Sequence, residues 1–243
     1  MNGQLRAELL KQRSTQTTLF LFLAMFGLVA LAVALHVLAL GASNLSTRSD
    51  QLSVFEVGTK VGMIFAGLVG AMAITAEIRH GTIRPTFLVT PRRGPVLAAK
   101  LAVGALAGIV FGLLAEGLMA GAASVAFAAR GIDDQLTGGD YVQLLLGGAA
   151  AAAFWAMIGL GVGAIVRDQV GTLIGLLAWM LLIENLVAGF VPGAGRFLPG
   201  AAGLALAGNT DKLPAAVGVL LLVLYAAAAS AVGWIATLRR DVA

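Results

Sequence analysis

From Leu19 to Leu40 the chain carries no Asp, Glu, Lys or Arg, and five more long, mostly apolar stretches follow before Arg239. A run of about 18 apolar residues is enough to cross a bilayer as a helix, and water-free surroundings leave the backbone few alternatives to helix. We read spans near residues 17–41, 53–76, 97–128, 141–166, 169–190 and 214–237. The expected fold class is therefore all-α, a single membrane domain of six transmembrane helices over residues 1–243. Composition agrees: 59% of the residues are apolar and 12% charged, against about 25% charged in soluble domains. The first run is longer than the 7–15-residue apolar core of a signal peptide, so it reads as a span.

The charges then set orientation. With the N-terminus inside, eleven of the sixteen Lys and Arg fall on the cytoplasmic side, among them Arg6, Lys11, Arg13, Arg79, Arg167 and Arg239. Arg48, Lys60, Arg130, Arg196 and Lys212 fall on the other. Excess Lys and Arg mark the cytoplasmic loops, which places both termini inside and the chain in the cell membrane as a multi-pass protein. Because the basic residues sit at the ends of apolar runs, the net charge of +4 reports topology, and no nucleic-acid partner is expected. The chain has no Cys and two His, His36 and His80, so thiolate chemistry and a His-based metal site are not expected.

Three segments depart from a plain run of spans. The third apolar run, at about 1.5 Å per residue, reaches nearly 50 Å and must tilt, bend or project from a core about 30 Å thick. Residues 2–14 fit either a short amphipathic helix on the inner leaflet or a solvated extension of the first span. Residues 191–214 are apolar yet punctuated by Pro192, Pro199 and Pro214, and residues 201–208 are too few to cross, so an outer re-entrant or interfacial helix is expected there.

Residues 77–100, EIRHGTIRPTFLVTPRRGPVLAAK, hold five of the sixteen basic residues between two spans. Thr82 is placed to cap a short helix, Pro85 is tolerated in its first turn, and Pro91 stops it by about Val89. That gives about two turns presenting Phe87 and Leu88, followed by Arg92 and Arg93 where cations favour the helix C-terminus and anionic headgroups. The same charges also serve simply to orient the loop.

The order Glu77, Gly81-Thr82-Ile83-Arg84, Pro91-Arg92-Arg93 and Lys100 between the second and third spans resembles the cytoplasmic coupling segment of ABC type-2 transporter permeases. Residues 7–15, AELLKQRST, resemble that family's entry to its first span, and the Pro-rich loop before the last span resembles its outer re-entrant region. The resemblance implies a half-transporter that works as a pair, a homodimer or a pair with a similar chain, and seats its coupling helices in a separate cytoplasmic ABC ATPase. In that picture Phe87 and Leu88 dock, with Thr82 capping, while Arg84, Arg92 and Arg93 pair with acids or lipid. ATP and Mg would be held by the partner, and no cofactor by this chain. Consistently, the sequence contains no G-x-x-x-x-G-K-[ST] phosphate loop.

Two carboxylates fall inside spans, Glu116 in the third and Glu184 in the fifth. Ionisable groups at such depth face protein or water, so both are candidates for a substrate path, with the alternative of a structural hydrogen bond from a protonated carboxyl. Asn185 follows Glu184 where the resemblance places an outer gate. Gly104, Gly108 and Gly112 recur at four-residue spacing, suited either to a dimer seam or to packing within the subunit. Glu56 and Lys60 are spaced to pair. The runner-up function is a proton-coupled secondary transporter using Glu116 and Glu184. An intramembrane enzyme is a third class, but no HExxH motif or Cys nucleophile supports it.

Overall fold

Hydroxyl and carboxylate caps at Thr47, Thr137 and Asp168 set where three of the membrane helices begin. In the computed structural model, which describes residues 2–14, 16–39, 45–83, 85, 93–191, 193–210 and 213–239, with the side chains of 2, 13, 14, 36–39 and 93 outside that description, every regular element is helical. The first two helices are α1 (Asn2–Ser14) and α2 (Gln16–Ala39). Helix α3 (Arg48–Arg79) opens on Thr47, whose hydroxyl accepts from the Asp50 N–H. Helix α4 (Arg93–Ala129) follows, then α5 (Gly138–Val166), which opens on a reciprocal capping box of Thr137 and Asp140. A two-residue turn leads to α6 (Gln169–Ala178): Arg167 closes α5 in the left-handed region at φ 62, and the Asp168 carboxylate caps the Gly171 N–H. Helix α6 runs through a π-helical turn (Trp179–Ile183) into α7 (Glu184–Phe190). Two further helices are α8 (Pro199–Leu206) and α9 (Ala215–Arg239).

Among the described residues, six helical stretches are long and apolar enough to cross a membrane: α2, α3, α4, α5, α6 through α7, and α9. Their order is the expected one, with modest changes at the ends. Helix α3 starts at Arg48 because the Thr47 cap lies six residues before the expected span. The third crossing has 37 residues, about 55 Å at 1.5 Å per residue, and starts at Arg93 because Pro95 is tolerated in a first turn. The short helix expected at 201–208 is found two residues earlier, opened by Pro199 in its first turn and followed by Gly208 at φ +111.

Helices α3, α4 and α5 make the core of the bundle and pack against one another most extensively, with α2 against α3 and α4, and α8 and α9 against α5. Phe55 of α3 is fully buried, edge-on to Phe127 of α4 (6.4 Å) and Tyr141 of α5 (5.8 Å). Trp155 of α5 anchors a second cluster with Met63, Leu206 and Leu222. The α3–α5 crossing has no room for side chains: a Cβ on Gly70 would collide with the Ala156 backbone, and one on Gly159 with that of Gly67. Small residues at such a contact let the backbones approach, which is how helices gain packing where solvent supplies no hydrophobic drive. The α6–α7 span is the reverse case, almost uncovered and exposing Ile174, Leu182 and Phe190.

Candidate functional site

One end of the bundle gathers α1, the C-terminus of α3, the start of α4 and the Arg167 turn; it is called the basic end here. Lys100 lies two turns into α4, flanked by apolar residues and 1% exposed, so its ammonium needs partners within the protein. It donates to Glu77 Oε1 (2.7 Å), to Glu8 Oε2 (2.8 Å) and to the Ala73 carbonyl (3.0 Å), filling its three N–H positions. Lys11 closes the ring from α1, donating to Glu8 Oε1 and Glu77 Oε1, each at 2.8 Å. Burial works against the Lys11 ammonium, but the Glu77 and Glu8 carboxylates outweigh it and hold its pKa above the ordinary lysine value. Two acids and two bases thus tie three helices together.

The ionic face is also what docks α1. Glu8 is its buried residue, whereas Leu9 and Leu10 point away from the bundle, 41% and 66% exposed. The apolar side of this helix is left to its surroundings, while the protein holds it by charge.

Glu77 and Lys100 bracket the segment expected to form a coupling helix. Of its predicted residues, Arg84, Phe87, Leu88 and Arg92, and the side chain of Arg93, lie outside the described residues. Thr82 is exposed with its hydroxyl 3.5 Å from the Glu77 carbonyl, Ile83 is buried beside Leu97 and Leu160, and Ile83 and Pro85 each have helical backbone.

Glu116 sits mid-bundle, buried where α3, α4 and α5 meet. Its Oε1 accepts from the Thr59 hydroxyl, its Oε2 has no hydrogen-bond partner, and a methyl added at Gly148 would lie 2.6 Å from its Cγ. It lines neither the cavity beside Glu184 nor the one at the basic end, both described below. All three glycines singled out on α4 face α5, two of them too closely for a side chain: a Cβ on Gly108 would lie 2.6 Å from the Ala152 carbonyl, and one on Gly112 2.7 Å from Ala149 Cα. At Gly104 the nearest atom is Leu160 Cδ1 at 3.7 Å, ordinary contact.

At the far end, Glu184 Oε1 accepts from Trp179 Nε1 (2.8 Å) and from the Gly200 N–H (3.0 Å), so the carboxylate caps α8 and fixes it to the fifth crossing. Asn185 Nδ2 donates to the Leu181 carbonyl one turn back. Glu184 borders a cavity of about 600 Å³ between α3, the π-helical turn and α8, whose wall mixes Glu56, Lys60 and Arg196 with Met63 and Leu181. The expected Glu56–Lys60 pair forms at 3.3 Å, and Glu56 also accepts from Asn209.

A six-crossing bundle with a charge-tied entry helix has many possible owners; a family model decides between them. The model of the ABC-2 family transporter protein matches residues 4–185. The chain belongs to the ABC-2 transporter family. The match runs from α1 to the first residues of α7, so it takes in four whole crossings and most of the fifth, the charge cluster and both intramembrane carboxylates. Among curated proteins, none matches the chain. As an ABC-2 protein it is the membrane-embedded permease component of an ABC transporter.

Sequence reasoning used Glu8, Glu77, Lys11 and Lys100 only for topology or resemblance and did not bring them together. The signal was Lys100 itself, a lone cation two turns inside an apolar helix. Gln51 was also passed over. Fully buried at the far end, it donates to the Leu45 and Asp133 carbonyls (3.0 and 2.8 Å) and accepts from the Gln135 N–H (2.9 Å), joining two loops.

Proposed function

We propose that this ABC-2 chain is the membrane subunit of an ATP-driven exporter, working as a pair with a separate cytoplasmic ATPase that binds ATP and Mg. The basic end faces the cytoplasm, with both termini, and residues 82–93 form the contact with the ATPase. Phe87 and Leu88 are its apolar docking residues, and Arg84, Arg92 and Arg93 pair with acids of the partner or with lipid. The observation that carries this reading is the ionic cluster of Glu8, Lys11, Glu77 and Lys100, with Lys100 at its buried centre. It holds the two helices flanking the segment as one body with α1, so a push on the segment is passed to α3 and α4 together. Alternating access then follows from rocking of the bundle, with the α8 segment and the Glu184–Asn185 turn at the outer mouth.

Purification from native membranes tests it: an ATP-hydrolysing subunit should accompany the chain in equal amount and be lost on combining Phe87→Ala with Arg92→Glu. Absence of any such subunit in several mild detergents would overturn the reading. Proton coupling through Glu116 and Glu184 gains no support from the geometry, since the first is enclosed by Gly58, Thr59 and Gly148 and the second is engaged by Trp179 and Gly200.

A further inference from the structure

A second cavity, of about 690 Å³, opens at the basic end between α1, α2 and α3, within the size range of small-molecule sites. Its chemistry changes along its length. Glu8, Lys11, Glu77 and Arg79 bring charge to its wall and Thr17 and Thr18 a hydroxyl each, while an apolar stretch runs along α3 from Ala76, next to Glu77, through Met72 to Val69, with Leu21 from α2. From Glu77 to Val69 along α3 is eight residues, about 12 Å. The neighbouring face of α2 exposes Leu19, Phe20 and Leu23, so the cavity borders surface suited to acyl chains. A charged mouth at the end of the apolar runs, leading into an apolar groove along a membrane helix, matches the profile of a lipid.

The charges narrow the class of lipid. Both signs are built into the wall: Arg79 is exposed and donates one Nη1 bond to Gln169, and Lys11, lining the same cavity, faces the carboxylates of Glu8 and Glu77. Glu77 Oε2 is buried without a partner, so the cluster is one donor short. The two carboxylates are already balanced by Lys11 and Lys100, so what the cavity lacks is a donor for Glu77 Oε2 and an anion for Arg79; a quaternary choline has no N–H to give. A primary ammonium carries three donors, and the phosphate beside it suits a guanidinium. We propose that this cavity is a binding site for an aminophospholipid of the phosphatidylethanolamine type, its phosphate toward Arg79 and Lys11, its ammonium toward Glu77 and the threonine hydroxyls, and one acyl chain along Val69, Met72 and Ala76. The bound lipid bridges α1 to α2 and α3 from outside, where the ionic cluster bridges α1 to α3 and α4 from within.

The site does not depend on ATP-driven export, because occupancy is a property of the isolated chain. The test uses the full-length protein, delipidated in detergent and given dioleoyl phosphatidylethanolamine, phosphatidylcholine or phosphatidylglycerol in turn, with retained lipid counted by native mass spectrometry. Phosphatidylethanolamine should be retained about tenfold better than either of the others, equivalent to about 1.4 kcal/mol. Ala76→Trp, which fills the groove, should abolish that preference, and Arg79→Ala, at an exposed position that does not threaten folding, should reduce retention about tenfold. Equal retention of the three lipids means annular contact only and overturns the proposal, as does unchanged retention by Arg79→Ala.

Discussion

The Lys100 ammonium on α4 lies 2.7 Å from Glu77 on α3, so two residues that flank positions 84–92 in the chain are joined in space. Removing one partner of a buried ion pair leaves the other charge without compensation, at a cost of about 3–5 kcal/mol. Lys100→Met should therefore lower the unfolding temperature of the detergent-purified protein clearly, and Lys100→Met combined with Glu77→Gln should recover part of the loss. If the double variant is no more stable than the single one, the pair is not the interaction that matters.

Glu8 ties α1 to the bundle, and its loss should release that helix without unfolding the rest. With Glu8→Ala, residues 2–14 should be cut by protease at least several-fold faster, while the melting of the six crossings shifts by only a few degrees. Equal cleavage of both proteins would mean that α1 is held by something other than the cluster.

At the far end Gln51 satisfies three backbone groups of two loops. Gln51→Ala leaves buried donors and acceptors unmade, each costing about 1–3 kcal/mol. A drop in thermal stability larger than that of Ser53→Ala, three N–H and C=O contacts against one hydroxyl contact on the same helix, is the expected result.

The α3–α5 crossing admits no added methyl. Gly159→Ala should destabilise by about 1–3 kcal/mol through overpacking, whereas Gly117→Ala, with nothing within 4 Å of its Cβ, should be neutral or slightly stabilising. Paired melting curves of the two variants read the difference directly.

Glu116→Gln keeps the shape of the side chain and an oxygen to accept from Thr59. Transport-coupled ATPase activity of the assembled complex should stay within about twofold, since hydrogen bonds between membrane helices contribute only about 0.6 kcal/mol on average. Complete loss of activity would return the carboxylate to a working role and favour proton coupling.

Six crossings and their order could be read from apolar run length alone, because a span needs little more than length and hydropathy. The ends could not, since Thr47 and Pro95 act through local hydrogen bonding and sterics that hydropathy does not see. Spacing put Gly104, Gly108 and Gly112 on one face of α4 without saying which partner they meet. The glycines that allow the tightest crossing, Gly67, Gly70 and Gly159, have irregular spacing and belong to two helices far apart in sequence. The charge cluster was hidden for a related reason: Glu8, Glu77 and Lys100 come from three elements, and counting charges by side of the membrane treats each as independent.

The π-helical turn before Glu184 can be restated as a matter of phase. In an α-helix, residues five apart are rotated by about 140° and look in different directions. Here the Glu184 N–H bonds to the Trp179 carbonyl five residues back, and the widened turn brings indole and carboxylate to one face, within 2.8 Å. One extra residue has the effect of turning everything beyond it by about a quarter circle. Deleting a single residue from 179–183 would hardly shorten the crossing, but it would swing the carboxylate away from the Gly200 N–H and leave α8 without its capping anion. The fifth crossing is thus indexed by one residue, and the seating of α8 depends on that count.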